Sequence, residues 1–198
     1  MKVYLFVIGL LISGINIQIV PHVTSKSKVF SLAKPITPKM HYHLNNFPAW
    51  FSNAFEHHKL GDQLELKTFL SPGYLEADFN GDGVNDITAT VIEKKSKKIG
   101  LIIIYGKTNE YMIFGAGKKI GKPGFDESDN LDWIRGWEVF KHSFAYETKF
   151  DNGDIVGSIK RKLNHKAISI WSVEDGEPLA GGIITFTGKK YIWIHQGE

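Results

Sequence analysis

The stretch Asp78-Phe-Asn-Gly-Asp-Gly-Val-Asn-Asp86 runs directly into Ile87-Thr-Ala-Thr-Val-Ile-Glu93. Within the first part, oxygen-bearing side chains occupy loop positions 1, 3, 5 and 9, which are Asp78, Asn80, Asp82 and Asp86. The second part is rich in β-branched residues, which favour a strand. The stretch therefore predicts a tight acidic loop that leads into a β-strand.

The acidic loop contains the oxygen donors that a hard cation requires. Calcium loops gather several oxygen ligands around one point, place a glycine where the backbone turns sharply, and use a backbone carbonyl one residue later. Here the glycine is Gly83 and the next residue is Val84. We therefore expect Ca²⁺ to be bound by the side chains of Asp78, Asn80, Asp82 and Asp86 and by the carbonyl of Val84.

The loop differs from an EF-hand at its end. An EF-hand closes with a bidentate glutamate at position 12, whereas this chain has Ala89 there, inside a strand-like segment. Asp86 is the expected substitute for that glutamate. The alternative to a metal site is an Asx-rich turn, in which Asp and Asn side chains bond to their own backbone. Three aspartates within nine residues would repel one another without a cation, which favours the metal.

The segment Glu76-Ala-Asp-Phe-Asn-Gly-Asp-Gly-Val-Asn-Asp-Ile87 resembles the calcium loop of FG-GAP/VCBS-type repeats in secreted and surface proteins. Those repeats usually occur in tandem in propeller blades, but this chain has one copy, so a propeller is not expected. Most of residues 48–198 are also similar to small exported bacterial proteins that share a short helix, this loop and strand hairpins. Such proteins also have a tryptophan segment like Leu131–Trp137 and a final hairpin like Ile183–Gly197. The resemblance implies an exported, cation-binding, β-rich domain and no particular activity.

The N-terminus has the pattern of an export signal. Lys2 is followed by an apolar run from Val3 to Ile15, which is too short and interrupted for a membrane span of ~20 residues. We expect residues 1–21 to be a signal peptide, 22–46 a linker or N-terminal arm, and 47–198 a single α+β domain. The predicted location is secreted or periplasmic, with no stable membrane anchor after signal removal. The absence of cysteine excludes disulfides and thiolate metal sites.

The rest of the chain predicts one main helix and several strands. Apolar residues at spacings of three and four indicate an amphipathic helix over Phe47–Phe55. We expect Gly61 to end this helix. The expected strands are 64–70, 86–93, 99–105, 110–114, 167–173, 182–187 and 191–195. Leu131–Lys141 is expected to be a short helix or an irregular aromatic segment. The fold class is therefore α+β: a mainly antiparallel β-sheet with one principal amphipathic helix and a calcium-type loop.

The C-terminal segment predicts a hairpin with a three-residue loop, 188–190. With that loop, Ile184, Phe186, Ile192 and Ile194 would form the buried face. Tyr191, Trp193 and His195 would share the other face, which we expect to be partly exposed. An accessible Trp193 ring would be a candidate contact for a sugar or a protein partner.

Charge and motifs narrow the classes of function. The net charge of +3 is too close to neutral to favour nucleic acid as a partner. We favour an exported calcium-binding domain that is not an enzyme and that binds a protein or glycan partner or serves a structural role. The alternative is an extracytoplasmic hydrolase, for example one acting on glycans. The sequence assigns no catalytic or organic-cofactor residue, because no spacing selects a pair of carboxylates.

Overall fold

The structure is a computed structural model that describes residues 44–120 and 128–197. Helix α1 spans Ala49–His57, between 3₁₀ turns at Leu44–Asn46 and Leu60–Asp62. The strands are β1 Leu64–Lys67, β2 Tyr74–Ala77, β3 Asp86–Glu93, β4 Ile99–Ile104, β5 Tyr111–Gly115, β6 Gly136–Phe140, β7 Phe144–Asp151, β8 Asp154–Lys162, β9 Ala167–Glu174, β10 Glu177–Phe186 and β11 Tyr191–Gly197. The expected signal peptide and residues 22–43 of the expected arm lie outside the described residues.

The first sheet is built around β3. On one side β3 pairs with β4, and on the other it pairs first with β2 and then with β1, always antiparallel. Strand β5 continues the sheet beyond β4. The residues of β3 from Asp86 to Val91 are all buried, because both faces of this sheet are covered. The hairpin expected from β3 and β4 is confirmed.

Helix α1 covers one face of the first sheet. Phe51, Ala54 and Phe55 pack in one cluster with sheet residues that include Ile87 and Ile102. Complete burial of each large apolar side chain contributes about 1.5–3 kcal/mol. The helix ends at His57 and is followed by Lys59 in the left-handed conformation, with φ 52°. The prediction that Gly61 ends the helix is therefore wrong, since Gly61 lies in the next 3₁₀ turn.

The opposite face of the first sheet packs against a second, four-stranded sheet of order β11-β10-β9-β6. Leu101 and Ile103 of the first sheet share a core cluster with Ile168, Ile170 and Ile184 of the second. This packing follows from the alternation of side chains along a strand, which sends Leu101 and Ile102 to opposite faces.

Of the two alternatives for residues 131–141, the short helix is wrong. Residues 131–135 are irregular, as the other alternative predicted, and Gly136–Phe140 form strand β6. Trp137 is buried in the core and donates its Nε1–H to the carbonyl of Pro72 at 2.8 Å. Trp133 precedes the strand and is half-buried. The strand satisfies its backbone through pairing with β9, a long-range contact that local spacing does not reveal.

Strands β7 and β8 form a separate hairpin that the sequence analysis did not assign. Its turn is Asn152-Gly153, and both residues have positive φ, 50° and 94°. An Asn-Gly pair between strands is a strong signal for a two-residue turn of this kind. The signal was present in the sequence and was missed.

The C-terminal hairpin exists, but its register differs by one residue from the expectation. The loop contains four residues, 187–190, so that Phe186 pairs with Tyr191 and Ile184 pairs with Trp193. A one-residue shift sends side chains to the other face of the sheet. The predicted buried set is therefore wrong, because Ile192 and Ile194 face away from Ile184. Tyr191, Trp193 and His195 do share a face, and all three are half-buried.

The described residues are thus mostly antiparallel β-sheet with one α-helix, which confirms the broad α+β class. Within residues 44–120 and 128–197, no helix is both long and apolar enough to span a membrane.

Candidate functional site

The acidic loop connects β2 to β3 and closes on a cross-strand pair, Ala77 with Asp86. Gly81 and Gly83 have φ values of 80° and 86°, a conformation that residues with a side chain rarely adopt. Gly83 therefore does have the special backbone conformation that its place in the loop predicts. The two glycines let the backbone curl around the side chains that precede them.

Asp78 organises the loop through its carboxylate. Its Oδ1 accepts hydrogen bonds from the amides of Gly81, at 2.6 Å, and Asp82, at 3.1 Å. Its Oδ2 accepts one from the amide of Gly83 at 3.0 Å. The first residue of the loop therefore holds the following turn of backbone in place. A carboxylate has about four acceptor sites, so these three bonds leave capacity for another partner.

Asn80 and Asp82 point back toward the same turn. The Asp82 amide donates to Asn80 Oδ1 at 3.0 Å as well as to Asp78 Oδ1 at 3.1 Å. Two of the expected calcium ligands therefore lie within hydrogen-bond distance of one nitrogen atom. Asp82 Oδ1 accepts from the amide of Val84 at 2.9 Å. The structure thus brings three of the expected side chains together.

Asp86 is completely buried, with an exposed fraction of 0%. Its Oδ2 accepts a hydrogen bond from the amide of Phe79 at 2.9 Å, and its Oδ1 accepts one from the amide of Gly106 at 3.1 Å. Burial raises the pKa of Asp86 to about 6, the two amides oppose the rise, and the negative charge of Asp82 adds to it. Asp86 therefore braces the loop against the turn after β4, a role that its spacing did not reveal.

The donor chemistry of the loop fits a hard cation. Aspartate, asparagine and backbone carbonyl oxygens are the ligands that Ca²⁺ prefers. Two contacts of Asn80 would have to change. Its Oδ1 accepts from the Asp82 amide at 3.0 Å and its Nδ2 donates to Asp82 Oδ2 at 3.1 Å, whereas a cation would need the oxygen in the place of the nitrogen. Among residues 44–120 and 128–197, no three His, Asp or Glu side chains already form a group able to hold a metal. The hydrogen bonds that Asp78, Asn80 and Asp82 accept from amides of the loop are also those of an Asx-rich turn without a metal.

A lysine already brings positive charge to the loop. Lys107 donates from Nζ to the carbonyl oxygen of Asp82 at 3.2 Å. This contact is exposed, so water and salt screen its charge. It lies on the backbone of Asp82 and leaves the carboxylates of the loop to other partners.

The loop also packs toward the second sheet, since Phe79 lies in the core cluster that the two sheets share. The ring of His165 lies so close to Gly81 that a Cβ on this glycine would stand 2.1 Å from Nδ1. Tyr191 of β11 has a buried hydroxyl next to that of Tyr105. Burial raises the pKa values of both tyrosines, and the negative charge of Asp86 adds to the rise. The loop therefore lies between the two sheets, where a change in its geometry can reach both.

A small apolar groove lies further along β11. Its volume is about 260 Å³, and its lining includes Trp133, Trp193, Leu131 and Ser172. We call it the tryptophan groove. The rings of Trp133 and Trp193 meet edge to face, with centroids 6.4 Å apart. Trp193 lies over Gly182, where a Cβ would be 2.2 Å from the ring, so this glycine is what lets the ring rest against the strand.

A larger cleft of about 680 Å³ lies beside the acidic loop. We call it the mixed-charge cleft. Glu76 and Asp78 line it from β2 and the start of the loop, and Glu138 lines it from β6. Lys141, His142 and Lys166 also line it. Spacing in the sequence does not reveal this site, because its residues come from three separate parts of the chain.

Comparison with protein-family models, with curated proteins and with solved structures found no match for this chain. Arguments about its function therefore rest on its own residues.

Proposed function

We propose that this protein is an exported calcium-binding domain that binds a partner outside the cytoplasm and is not an enzyme. The observation that carries the proposal is the folding of Asp78, Asn80 and Asp82 around one turn of backbone, with two of their oxygens on a single amide. The proposed ligands are the side chains of Asp78, Asn80, Asp82 and Asp86 and the carbonyl of Val84.

Electrostatics supports a cation at this loop. Asp86 is fully buried, and the charge of Asp82 acts on it unfavourably. Burying a carboxylate without a counter-charge is costly. A divalent cation between these carboxylates would remove the repulsion. It would need the Asn80 amide to rotate and an oxygen of Asp86, now bonded to the amides of Phe79 and Gly106, to reach the ion.

Export would suit a cation-dependent fold. Extracellular calcium modules can bind weakly, with Kd values of ~10⁻⁴–10⁻³ M, because the ion is plentiful outside cells. The chain has no cysteine, so disulfides cannot stabilise it there. The proposed ion would stabilise a loop that packs into the core between the two sheets through Phe79 and is bonded to the turn after β4 through Asp86.

The tryptophan groove is the proposed contact surface for a partner. Its lining is mostly apolar, and the hydroxyl of Ser172 is already bonded to Ala180. A groove with these properties suits an apolar group of a partner better than a highly polar one. Trp193→Ala is expected to weaken partner binding while leaving the calcium response intact.

Thermal unfolding with and without calcium tests the proposal. At calcium concentrations about 10–100 times Kd, the melting temperature should rise by about 3–10 °C, because a ligand of the folded state stabilises it by RT ln(1 + [L]/Kd). Asp82→Ala should abolish the rise. Asp132→Ala, which removes an exposed aspartate outside the loop, is the matched control and should respond like the wild type. An equal rise in Asp82→Ala would place the calcium elsewhere.

A second candidate function is an extracytoplasmic hydrolase acting on glycans. The observation that favours it is the mixed-charge cleft, which is lined by Glu138 of β6, by Glu76 of β2 and by Asp78 at the start of the acidic loop. Glycosidases use two carboxylates on either side of the scissile bond. Release of reducing ends from glycans by the wild type, and its loss in Glu138→Gln, would support this candidate over the binding domain.

A further inference from the structure

The mixed-charge cleft has the size and composition of a ligand site. Its volume of about 680 Å³ falls within the range of ~300–1,000 Å³ typical of ligand pockets. It lies between β2 and β6, two strands of different sheets that contact each other. The cleft is separate in its lining from the tryptophan groove.

The charged side chains of the cleft are available to a ligand. Lys141, His142 and Lys166 are exposed. In the described part of the chain, the recorded ion pairs join other residues: Lys67 with Glu65, Lys98 with Asp129, and Arg161 with Glu147. These two lysines and the histidine can bind an anionic group at their end of the cleft, which Glu76, Asp78 and Glu138 also line.

The cleft also offers hydrogen-bond acceptors and an apolar floor. Glu76, Asn85 and Glu138 are exposed at its rim. Leu75 and Ala77 are buried beneath it, and Val139 and Phe140 are half-buried. A ligand that fits this lining needs an acidic group, hydroxyl groups and an apolar face in one molecule.

We propose that the mixed-charge cleft binds an acidic sugar, a uronic acid unit of a glycan chain. Its carboxylate would bind Lys141 and Lys166, its hydroxyls would donate to Glu76 and Glu138, and the C–H face of its ring would lie on the apolar floor. Charge-assisted hydrogen bonds to a carboxylate are the strongest of these contacts. The inference deepens the proposed function by naming a ligand class, and a calcium ion at Asp78 would add a further positive charge at the rim.

The test is calorimetric titration of the full chain with a trimer of galacturonic acid, with a neutral galactose trimer, and with inorganic phosphate, all in calcium. The wild type should bind the acidic trimer at least about tenfold more tightly than the neutral trimer or phosphate, since the carboxylate contacts supply the difference. The double variant Lys141→Gln and Lys166→Gln should lose about tenfold in affinity. Its melting temperature and calcium response should match those of the wild type.

A matched control removes the same charge elsewhere. Lys95→Gln with Lys97→Gln alters two exposed lysines of the turn between β3 and β4, and it should leave binding of the acidic trimer unchanged. An equal loss in this control would show attraction to net charge and would overturn the site. Equal affinity for the neutral trimer or for phosphate would overturn the acidic sugar, and so would no binding at all.

The failure of this inference and that of the proposed function are distinguishable. Lysine-dependent binding of the acidic trimer by a chain without a calcium response would retain the cleft and reject the calcium domain. A normal calcium response without binding of the acidic trimer would retain the calcium domain and reject the acidic-sugar site in the cleft.

Discussion

The acidic loop and the C-terminal hairpin both lie where the two sheets meet, but they are held in place differently. In the loop, Asp78 bonds to amides three to five residues away. In the hairpin, the position of Ile184 is set by Trp193 on one side and by Ile168 on the other. The loop is determined by neighbours in sequence, whereas the hairpin is determined by strands that come together only in the folded chain.

This comparison predicts that substitutions in the loop and in the hairpin change the stability of the fold to different extents. Most side chains of the loop are exposed or half-buried, and a metal-free chain should tolerate their loss. In the hairpin, Ile184 is buried and the Trp193 ring rests directly on Gly182, so substitutions at these positions should be tolerated less well. Asp86 is the exception among the expected ligands of the loop, because its side chain is completely buried.

The largest expected effect is therefore at Asp86. Asp86→Ala leaves the buried amide of Phe79 and the amide of Gly106 without their acceptor, which should lower the free energy of unfolding by about 2–4 kcal/mol. Urea unfolding in the presence of a chelator measures this loss. Asp86→Asn keeps one acceptor oxygen and should lose less. A metal-free Asp86→Ala protein as stable as the wild type would show that the brace contributes nothing.

A somewhat smaller effect is expected at Gly182. A Cβ there would stand 2.2 Å from the Trp193 ring, so Gly182→Ala should force the ring away and cost about 1–3 kcal/mol. Gly61→Ala is the matched control, because its new Cβ would meet Phe55 at an ordinary 3.8 Å. Urea unfolding and tryptophan fluorescence should both change in the first variant and stay near wild type in the second. Equal stability of the two would contradict the close packing of Trp193.

The smallest effect concerns another locally determined turn, between β3 and β4. Glu93 accepts hydrogen bonds from the amides of Lys95, at 3.1 Å, and Ser96, at 2.5 Å. Hydrogen bonding from Ser96, side chain and backbone, lowers the pKa of Glu93 from 4.5 to about 2. Because the pKa of Glu93 is lower in the folded state, its ionised carboxyl stabilises the fold above pH 4.5. This stabilisation is lost as the pH falls through about 2.

Titration of the Glu93 carboxyl by NMR checks this turn. Ser96→Ala should raise the pKa of Glu93 and leave the rest of the spectrum nearly unchanged. The melting temperature should hardly move at neutral pH, since the carboxyl is exposed. A Glu93 pKa that is the same in both proteins would contradict the role of Ser96.

The sequence predicted what depends on short spacing. The curled loop around Gly83, the β3–β4 hairpin and the helix over Ala49–His57 follow from residues close together in the chain. The register of β10 and β11 could not be predicted, because a loop of three or four residues fits the same letters and only pairing with β9 separates them. Strand β6 was missed because it, too, depends on a long-range pairing with β9.

The candidate site divides in the same way. The convergence of Asp78, Asn80 and Asp82 was predictable from their alternation. The bracing role of Asp86 was not, because it depends on Gly106 from the turn after β4. The mixed-charge cleft brings together residues near 76, 138 and 166, and no spacing in the sequence connects them.

A crystal structure grown in calcium chloride tests the central claim most directly. The account predicts an anomalous peak ~2.3–2.6 Å from side-chain oxygens of Asp78, Asn80, Asp82 and Asp86 and from the carbonyl of Val84. The Asn80 amide should be rotated so that its oxygen faces the ion. The contradicting result is a loop without an ion, in which Asn80 Nδ2 still donates to Asp82 Oδ2 as it does at 3.1 Å in the present structure. The loop would then be an Asx-rich turn and not a calcium site.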